Sequence, residues 1–105
     1  MASSPTQRSL KLMRDQGYLC AVVEHWNVFA RIRQDLYGFV DVLCIKDGKT
    51  VAVQTTSYSN MSARIKKIKE LDSYPIVRSA GWEIAVHGWK KDKAGKWVVR
   101  EVFME

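Results

Sequence analysis

Asp41 is an isolated carboxylate in an apolar run, Phe39-Val40-Asp41-Val42-Leu43-Cys44-Ile45-Lys46. A second run, Lys49-Thr50-Val51-Ala52-Val53-Gln54-Thr55-Thr56, follows after Asp47-Gly48. Asp-Gly is a preferred pair for a two-residue type I′ turn, so the runs read as a β-hairpin in which Lys46 pairs with Lys49. That register sets Asp41 opposite Gln54, with Cβ atoms about 4.5–5.5 Å apart. Strand alternation puts Thr56 on the face of Gln54, and it puts Val40, Val42, Val51 and Val53 together on the other face, a core face. A carboxylate, an amide and a hydroxyl at the open end of a hairpin are all hard oxygen donors. Two readings follow. Asp41 bonds Gln54 and local backbone at a solvated sheet edge, or the three groups hold a hard cation. Spacing alone favours the first, because a carboxylate within an apolar strand needs a partner to offset its desolvation.

The elements that position these groups can be read along the chain. Ser4-Pro5 has the signature of an N-cap followed by proline at the first helical position. A helix over residues 6–16 then carries Leu10 and Met13 inward, and Gly17 stops it. Residues 18–26 are β-branched and aromatic and read as a strand. Residues 27–34 read as a connection holding Arg31 and Arg33. After the hairpin, Ser59-Asn60 caps a helix over 61–72 whose apolar positions Met61, Ile65, Ile68 and Leu71 keep a helical period. Pro75 lies beyond its end. Residues 82–87 and 97–103 read as two further strands, joined by a basic loop over 88–96. The order α-β-β-β-α-β-β predicts one α/β domain over residues 1–105, a mixed sheet flanked by helices.

Composition narrows the function classes. The chain has 105 residues with a formal net charge of +6, 47% hydrophobic and 27% charged residues. A basic balance favours a polyanionic partner, since Lys and Arg neutralise phosphates. Cys20 and Cys44 lack CxxC spacing and read as two buried thiols rather than a zinc site or a disulfide framework. His25 and His87 are too few and too far apart for a histidine metal site. No apolar run approaches a membrane span, and the polar start Met1-Ala2-Ser3-Ser4-Pro5 has no signal-peptide character. The expected compartment is the cytoplasm of a bacterial or phage-infected cell.

The runs Asp35-Leu36-Tyr37-Gly38-Phe39-Val40-Asp41-Val42-Leu43 and Val51-Ala52-Val53-Gln54-Thr55-Thr56-Ser57 resemble the core of PD-(D/E)XK nucleases. The likeness is closest to small Holliday-junction-resolvase-like and phage-type (VRR-NUC-like) members, with a restriction-endonuclease-like core. The resemblance implies a Mg²⁺- or Mn²⁺-dependent DNA endonuclease. On that footing Asp41 is the first metal-binding acid, Gln54 stands at the second acid, Thr55 supplies its backbone carbonyl to the metal, and Thr56 stands at the motif lysine. The departures define what must compensate. Gln54 ligates without charge through its amide oxygen, and Thr56 carries no positive charge. Glu24 or Asp35 are candidate replacements for the missing acid, and Lys67 or Arg64 for the missing cation. Each has a plainer reading: Glu24 a solvated strand residue, Asp35 a turn residue, Lys67 and Arg64 an exposed helix face.

Basic residues flank Asp41 in sequence. Arg64, Lys66, Lys67 and Lys69 lie on the helix after the hairpin, and Arg31 and Arg33 lie before it. Arg8, Lys11 and Arg14 are on the first helix, and Lys90 and Lys91 open the basic loop. Phosphate contact is the use such side chains have on a nuclease; solvated faces are the alternative. Trp26, Trp82, Trp89 and Trp97 are expected in core or interface roles. The resolvase resemblance implies branched or duplex DNA as substrate and a two-fold homodimer. A nuclease fold that kept its DNA surface and lost catalysis is the competing reading, and a dimerisation module a third.

Overall fold

The computed structural model describes residues 4–105; residues 1–3 of the polar start lie outside the described residues. Helix α1 (Pro5–Asp15) begins as its sequence predicts: Ser4 is the N-cap, and its hydroxyl accepts from Gln7 N at 3.1 Å. Gly17 closes the helix with a φ of 92°, a conformation that costs glycine little. The main sheet follows, with strand order β1-β4-β5-β6-β7. Its members are β1 (Leu19–Val22), β4 (Val42–Lys46), β5 (Lys49–Ser57), β6 (Glu83–Lys91) and β7 (Trp97–Met104). Strand β4 is antiparallel to β1 and β5, β5 runs parallel to β6, and β6 is antiparallel to β7. Helices α2 (Met61–Glu70) and α3 (Ser73–Ser79) form the crossover between the parallel pair, as a parallel connection requires. The protein is thus an α/β fold with a mixed sheet and helices. No helix among the described residues is long and apolar enough to cross a membrane.

Both faces of the sheet are covered. On the α1 side Leu10 and Met13 pack against Cys20, Val42, Cys44, Val51, Val53 and Ala85. On the α2 and α3 side Phe39, Val40, Ala52, Met61, Ile68, Val77, Ile84 and Val86 form the second core. The central strand β5 therefore buries consecutive residues, which is why its sequence runs Val-Ala-Val without polar alternation. One expectation fails here. Val40 joins the second core while Val42, Val51 and Val53 join the first. Strand β4 begins only at Val42, so alternation does not extend back through Asp41 to Val40.

Other boundaries also move. The first strand stops at Val22, and residues 25–34 form a separate two-stranded ribbon, β2 (His25–Asn27) with β3 (Ile32–Gln34). The helix expected to reach residue 72 ends at Glu70; Pro75 lies beyond it, as expected, but within a further short helix, α3. As the third residue of α3 it occupies the first turn, where a backbone N–H has no intrahelical acceptor. The basic loop shrinks to a turn after β6, with Asp92 Oδ1 accepting from Ala94 N and Lys96 N at 2.9 Å each. Residues 88–91 consequently belong to β6, and Trp89 is buried.

A buried polar chain ties α1 to β6 and β7. Trp89 Nε1 donates to Ser9 Oγ at 2.9 Å, Ser9 Oγ lies 2.7 Å from His87 Nδ1, and His87 Nε2 lies 2.7 Å from Glu101 Oε2. Burial lowers the His87 pKa against the opposing pull of Glu101. A neutral ring fits: the Ser9 hydroxyl donates to Nδ1 and Nε2–H donates to the carboxylate. Ser9 is fully buried, so this serine, histidine and glutamate grouping is structural and offers no nucleophile. Cys20 and Cys44 are free, buried cross-strand neighbours, and burial raises the Cys44 pKa.

Gly88 is where α2 closes on the sheet. A Cβ added there would overlap the Met61 side chain and come within 3.1 Å of the Tyr58 backbone. Gly88→Ala is expected to lower stability by about 1–3 kcal/mol through overpacking, read as a lower urea midpoint at unchanged slope.

Candidate metal centre

Asp41 sits at the mouth of β4, held from both sides by backbone. Its N–H donates to Val53 O and its C=O accepts from Val23 N, both at 2.9 Å. The pairing Val42↔Val53 and Lys46↔Lys49 is the register that the Asp47-Gly48 turn predicts, with Asp47 at φ 49° and Gly48 at φ 77°. Beyond Val42 the ladder slips: Val53, already opposite Val42, also accepts from Asp41 N, and Gln54 reaches Asp41 through its side chain, Nε2 donating to Oδ2 at 2.6 Å. Oδ2 also accepts from Thr55 N at 2.8 Å and Thr55 Oγ1 at 3.2 Å. Thr55 Oγ1 in turn meets Thr6 Oγ1 of α1 at 3.0 Å. These donors fix the orientation of the Asp41 carboxyl group.

Two more carboxylates reach it. Glu24 comes off the end of β1, next to Val23, whose N–H is already bonded to Asp41 O. Asp35 is folded back by a tight turn in which Phe39 N donates to Leu36 O at 3.2 Å, with Tyr37 and Gly38 at φ 55° and 86°. Those angles are those of a second type I′ turn. Glycine takes such a φ freely, whereas Tyr37 holds it at a cost of about 1 kcal/mol. Glu24, Asp35 and Asp41 thereby each offer an oxygen within 4.8 Å of the others. This cluster could hold a metal ion.

The electrostatics fit that use. Burial, then the hydrogen bond and charge of Asp35 and the contact with Glu24, push the Asp41 pKa up to about 8, against the lowering effect of the Thr55 N–H. Asp41 is only 3% exposed. Arg33 pairs with Glu24 at 3.2 Å on the rim. A divalent cation would replace the proton that Asp41 retains near neutral pH and offset the mutual repulsion of the cluster. The donor set is all oxygen, which suits a hard cation rather than zinc or copper. The Gln54 amide presents its nitrogen to Asp41 and Thr55 O, whereas the ligation expected from the sequence uses its Oε1.

The other sequence-derived residues divide between near and far. Gln54, Thr55 and Thr56 are buried and line a cleft of about 450 Å³ with the three acids, Arg33 and Arg64. Thr55 holds Asp41 through its N–H and hydroxyl, while its carbonyl, the atom expected at the metal, accepts from Gln54 Nε2 at 3.4 Å. An adjoining cleft is lined by Asp35, Arg33, Arg64 and Lys67. Arg64 therefore borders the acids directly and Lys67 stands one helical turn further out. Lys66 and Lys69 line neither cleft. Lys90 lies 4.3 Å from the Tyr58 ring and Lys91 5.3 Å from the Trp97 ring, on strand rather than loop. Arg31 is exposed at the turn of the β2–β3 ribbon. Sequence reasoning missed the Glu24–Arg33 pair and the placement of the α1 N-terminus, where Pro5 and Thr6 border the cleft. The capping signature predicts that helix start but carries no information on what it faces. No family model, curated protein or solved structure matches the chain.

Proposed function

We propose that the chain is a Mg²⁺- or Mn²⁺-dependent DNA endonuclease of the PD-(D/E)XK type, acting on branched or duplex DNA as a homodimer in the cytoplasm. The observation that carries this reading is the convergence of Glu24, Asp35 and Asp41 within 4.8 Å at the mouth of the hairpin. The motif glutamine leaves the triplet one charge short, and two carboxylates from outside it stand where they would restore that charge. The order of elements supports the same reading: a helix, an antiparallel meander of β1, β4 and β5, then a helical crossover to parallel β6.

A bound divalent cation supplies Lewis-acid polarisation of the scissile phosphate and a coordinated water of lowered pKa. The chain's residues do the remainder. Asp41 anchors the cation, oriented by Gln54 and Thr55. Glu24 and Asp35 complete the ligand set, and Asp35 or Glu24 can accept a proton from the attacking water. Arg64 takes the electrostatic role of the absent motif lysine, from helix α2 rather than from position 56, and Lys67 extends it along the DNA backbone. The N-terminus of α1 adds a partial positive charge beside the phosphate.

A second reading, a DNA-binding module without catalysis, draws on one observation: among the described residues no lysine lines the inner cleft, and Thr56 occupies the motif position. The two are separated by incubating four-way-junction, duplex and single-stranded DNA with wild type and Asp41→Ala in Mg²⁺ or Mn²⁺. The nuclease reading expects cleavage by wild type that falls at least about a thousandfold in the variant, the scale of losing a principal electrostatic group. Salt-sensitive binding by both proteins with no cleavage of any substrate gives the module instead.

A further inference from the structure

The β2–β3 ribbon is the part of the molecule that the acidic cluster leaves unexplained. It is not hydrogen-bonded into the main sheet and contributes nothing to the two buried cores. Its turn is nevertheless firmly built. Asn27 Oδ1 accepts from Phe29 N and Ala30 N at 3.0 Å each, Asn27 O accepts from Arg31 N at 2.8 Å, and Asn27 Nδ2 donates to Gln34 Oε1 at 3.2 Å. What this scaffold holds in solvent is apolar. Phe29 at the tip is 97% exposed, and Trp26, Val28 and Ile32 are each at least half exposed. A cluster of that kind on a fixed turn marks a surface that a partner covers.

The chemistry of the partner follows from what stands among the rings. Arg31 shares the tip with Phe29. Trp26 and Arg33 are direct cross-strand partners and so share one face of the ribbon. Arg33 is also a wall of both clefts. Aromatic rings alternating with guanidinium groups take base faces and phosphates together, the pattern of single-strand recognition. At about 3.3 Å per residue, the tip stands roughly 10 Å beyond Arg33, a distance of one to two nucleotides.

We propose that the ribbon recognises unpaired nucleotides: Phe29, with Trp26 behind it, stacks on a splayed base while Arg31 and Arg33 carry the backbone toward the acidic cleft. The substrate class is therefore DNA with a junction between duplex and single strand. Its placement next to a scissile phosphate rests on the nuclease reading; the stacking does not.

The test uses the full chain and two DNAs of common sequence, a fully paired duplex and a fork with splayed arms carrying 2-aminopurine at the junction. Binding is measured by anisotropy in EDTA, so no cleavage is needed. Wild type is expected to prefer the fork and to quench the 2-aminopurine. Phe29→Ala should lose about tenfold in fork affinity, with the quenching, and little on duplex; Phe29→Trp should restore both. Phe29 is exposed, so the variants are expected to fold as wild type does, checked by circular dichroism. Unchanged fork affinity and quenching in Phe29→Ala overturns the proposal. So does a Phe29→Ala variant that loses self-association but binds DNA as before, which would put a second copy of the chain on the tip. Metal-dependent cleavage run alongside separates the two ideas: fork preference that depends on Phe29 without cleavage sinks the nuclease reading alone, and cleavage without that dependence sinks this one alone.

Discussion

Asp41→Asn is expected to melt at a higher temperature than wild type above neutral pH and to lose cation binding at the same time. The sign comes from proton linkage. In the folded chain burial and the neighbouring acids push the Asp41 pKa up to about 8, from 3.8 when unperturbed. Between those values the unfolded chain has lost the proton and the folded chain retains it. As pH rises through that window, the group's contribution to stability falls by about 1.4 kcal/mol per unit, reaching its full cost above the folded pKa. The penalty at pH 8 is on the order of a few kcal/mol. Asparagine is close in shape and carries no charge. Its oxygen can still accept from Thr55 N and Gln54 Nε2, and its amide can donate toward Asp35 and Glu24. A gain of about 2 kcal/mol corresponds to a rise on the order of 10 °C in a domain of this size.

Cation binding reverses the ranking. A cation present at a hundred times its Kd stabilises the wild type by about 2.7 kcal/mol. Because it displaces the Asp41 proton, its apparent affinity should climb with pH until about pH 8 and then level. Thermal melts of both proteins from pH 5 to 9, with and without Mn²⁺, check all of this. A variant that is less stable than wild type at pH 8, or that still gains from Mn²⁺, contradicts the assignment of Asp41 as the buried, protonated anchor.

Phe39→Ala should be the most damaging single substitution in the core near the site. Phe39 is fully buried in the α2 and α3 core and is the residue that closes the turn at Tyr37 and Gly38. Truncating a buried phenylalanine costs about 3–5 kcal/mol, a large share of the 5–15 kcal/mol by which a domain is stable. The loss should extend to the metal. The Phe39 ring anchors the turn that brings Asp35 back to Asp41, and Tyr37 keeps its positive φ only while the surroundings enforce it. In urea titrations the variant should unfold at a much lower midpoint, and in Mn²⁺ titrations below that midpoint it should bind several-fold more weakly. Phe39→Leu should show a smaller loss of both. A Phe39→Ala variant with wild-type Mn²⁺ affinity would detach the turn from the metal centre.

The local sequence was enough to specify the frame of the site. Asp47-Gly48 demands two consecutive positive φ angles, and that demand selects the turn and the register from Lys46↔Lys49 to Val42↔Val53. Ser4-Pro5 and Gly17 bound α1 because capping depends on neighbours in the chain. Helix α2 was legible through its apolar period. What the sequence left open is what depends on distant partners. Glu24 and Asp35 looked like an ordinary strand residue and an ordinary turn residue. The sequence offers them as replacements for the missing acid only beside those plainer readings, and their convergence on Asp41 comes from β1 pairing with β4 and from the 36–40 turn doubling back. Likewise the β-rich run 18–26 predicts Trp26 in the first strand, whereas tertiary pairing assigns it to a separate ribbon with Arg33. Alternation on the isolated hairpin could not show that both faces are covered, nor that Val40 and Val42 enter different cores. Local φ and ψ preferences act over a few residues and are written in the sequence. The gathering of like charges is opposed locally and survives only where packing from three separate segments holds it, so it is decided in the tertiary structure.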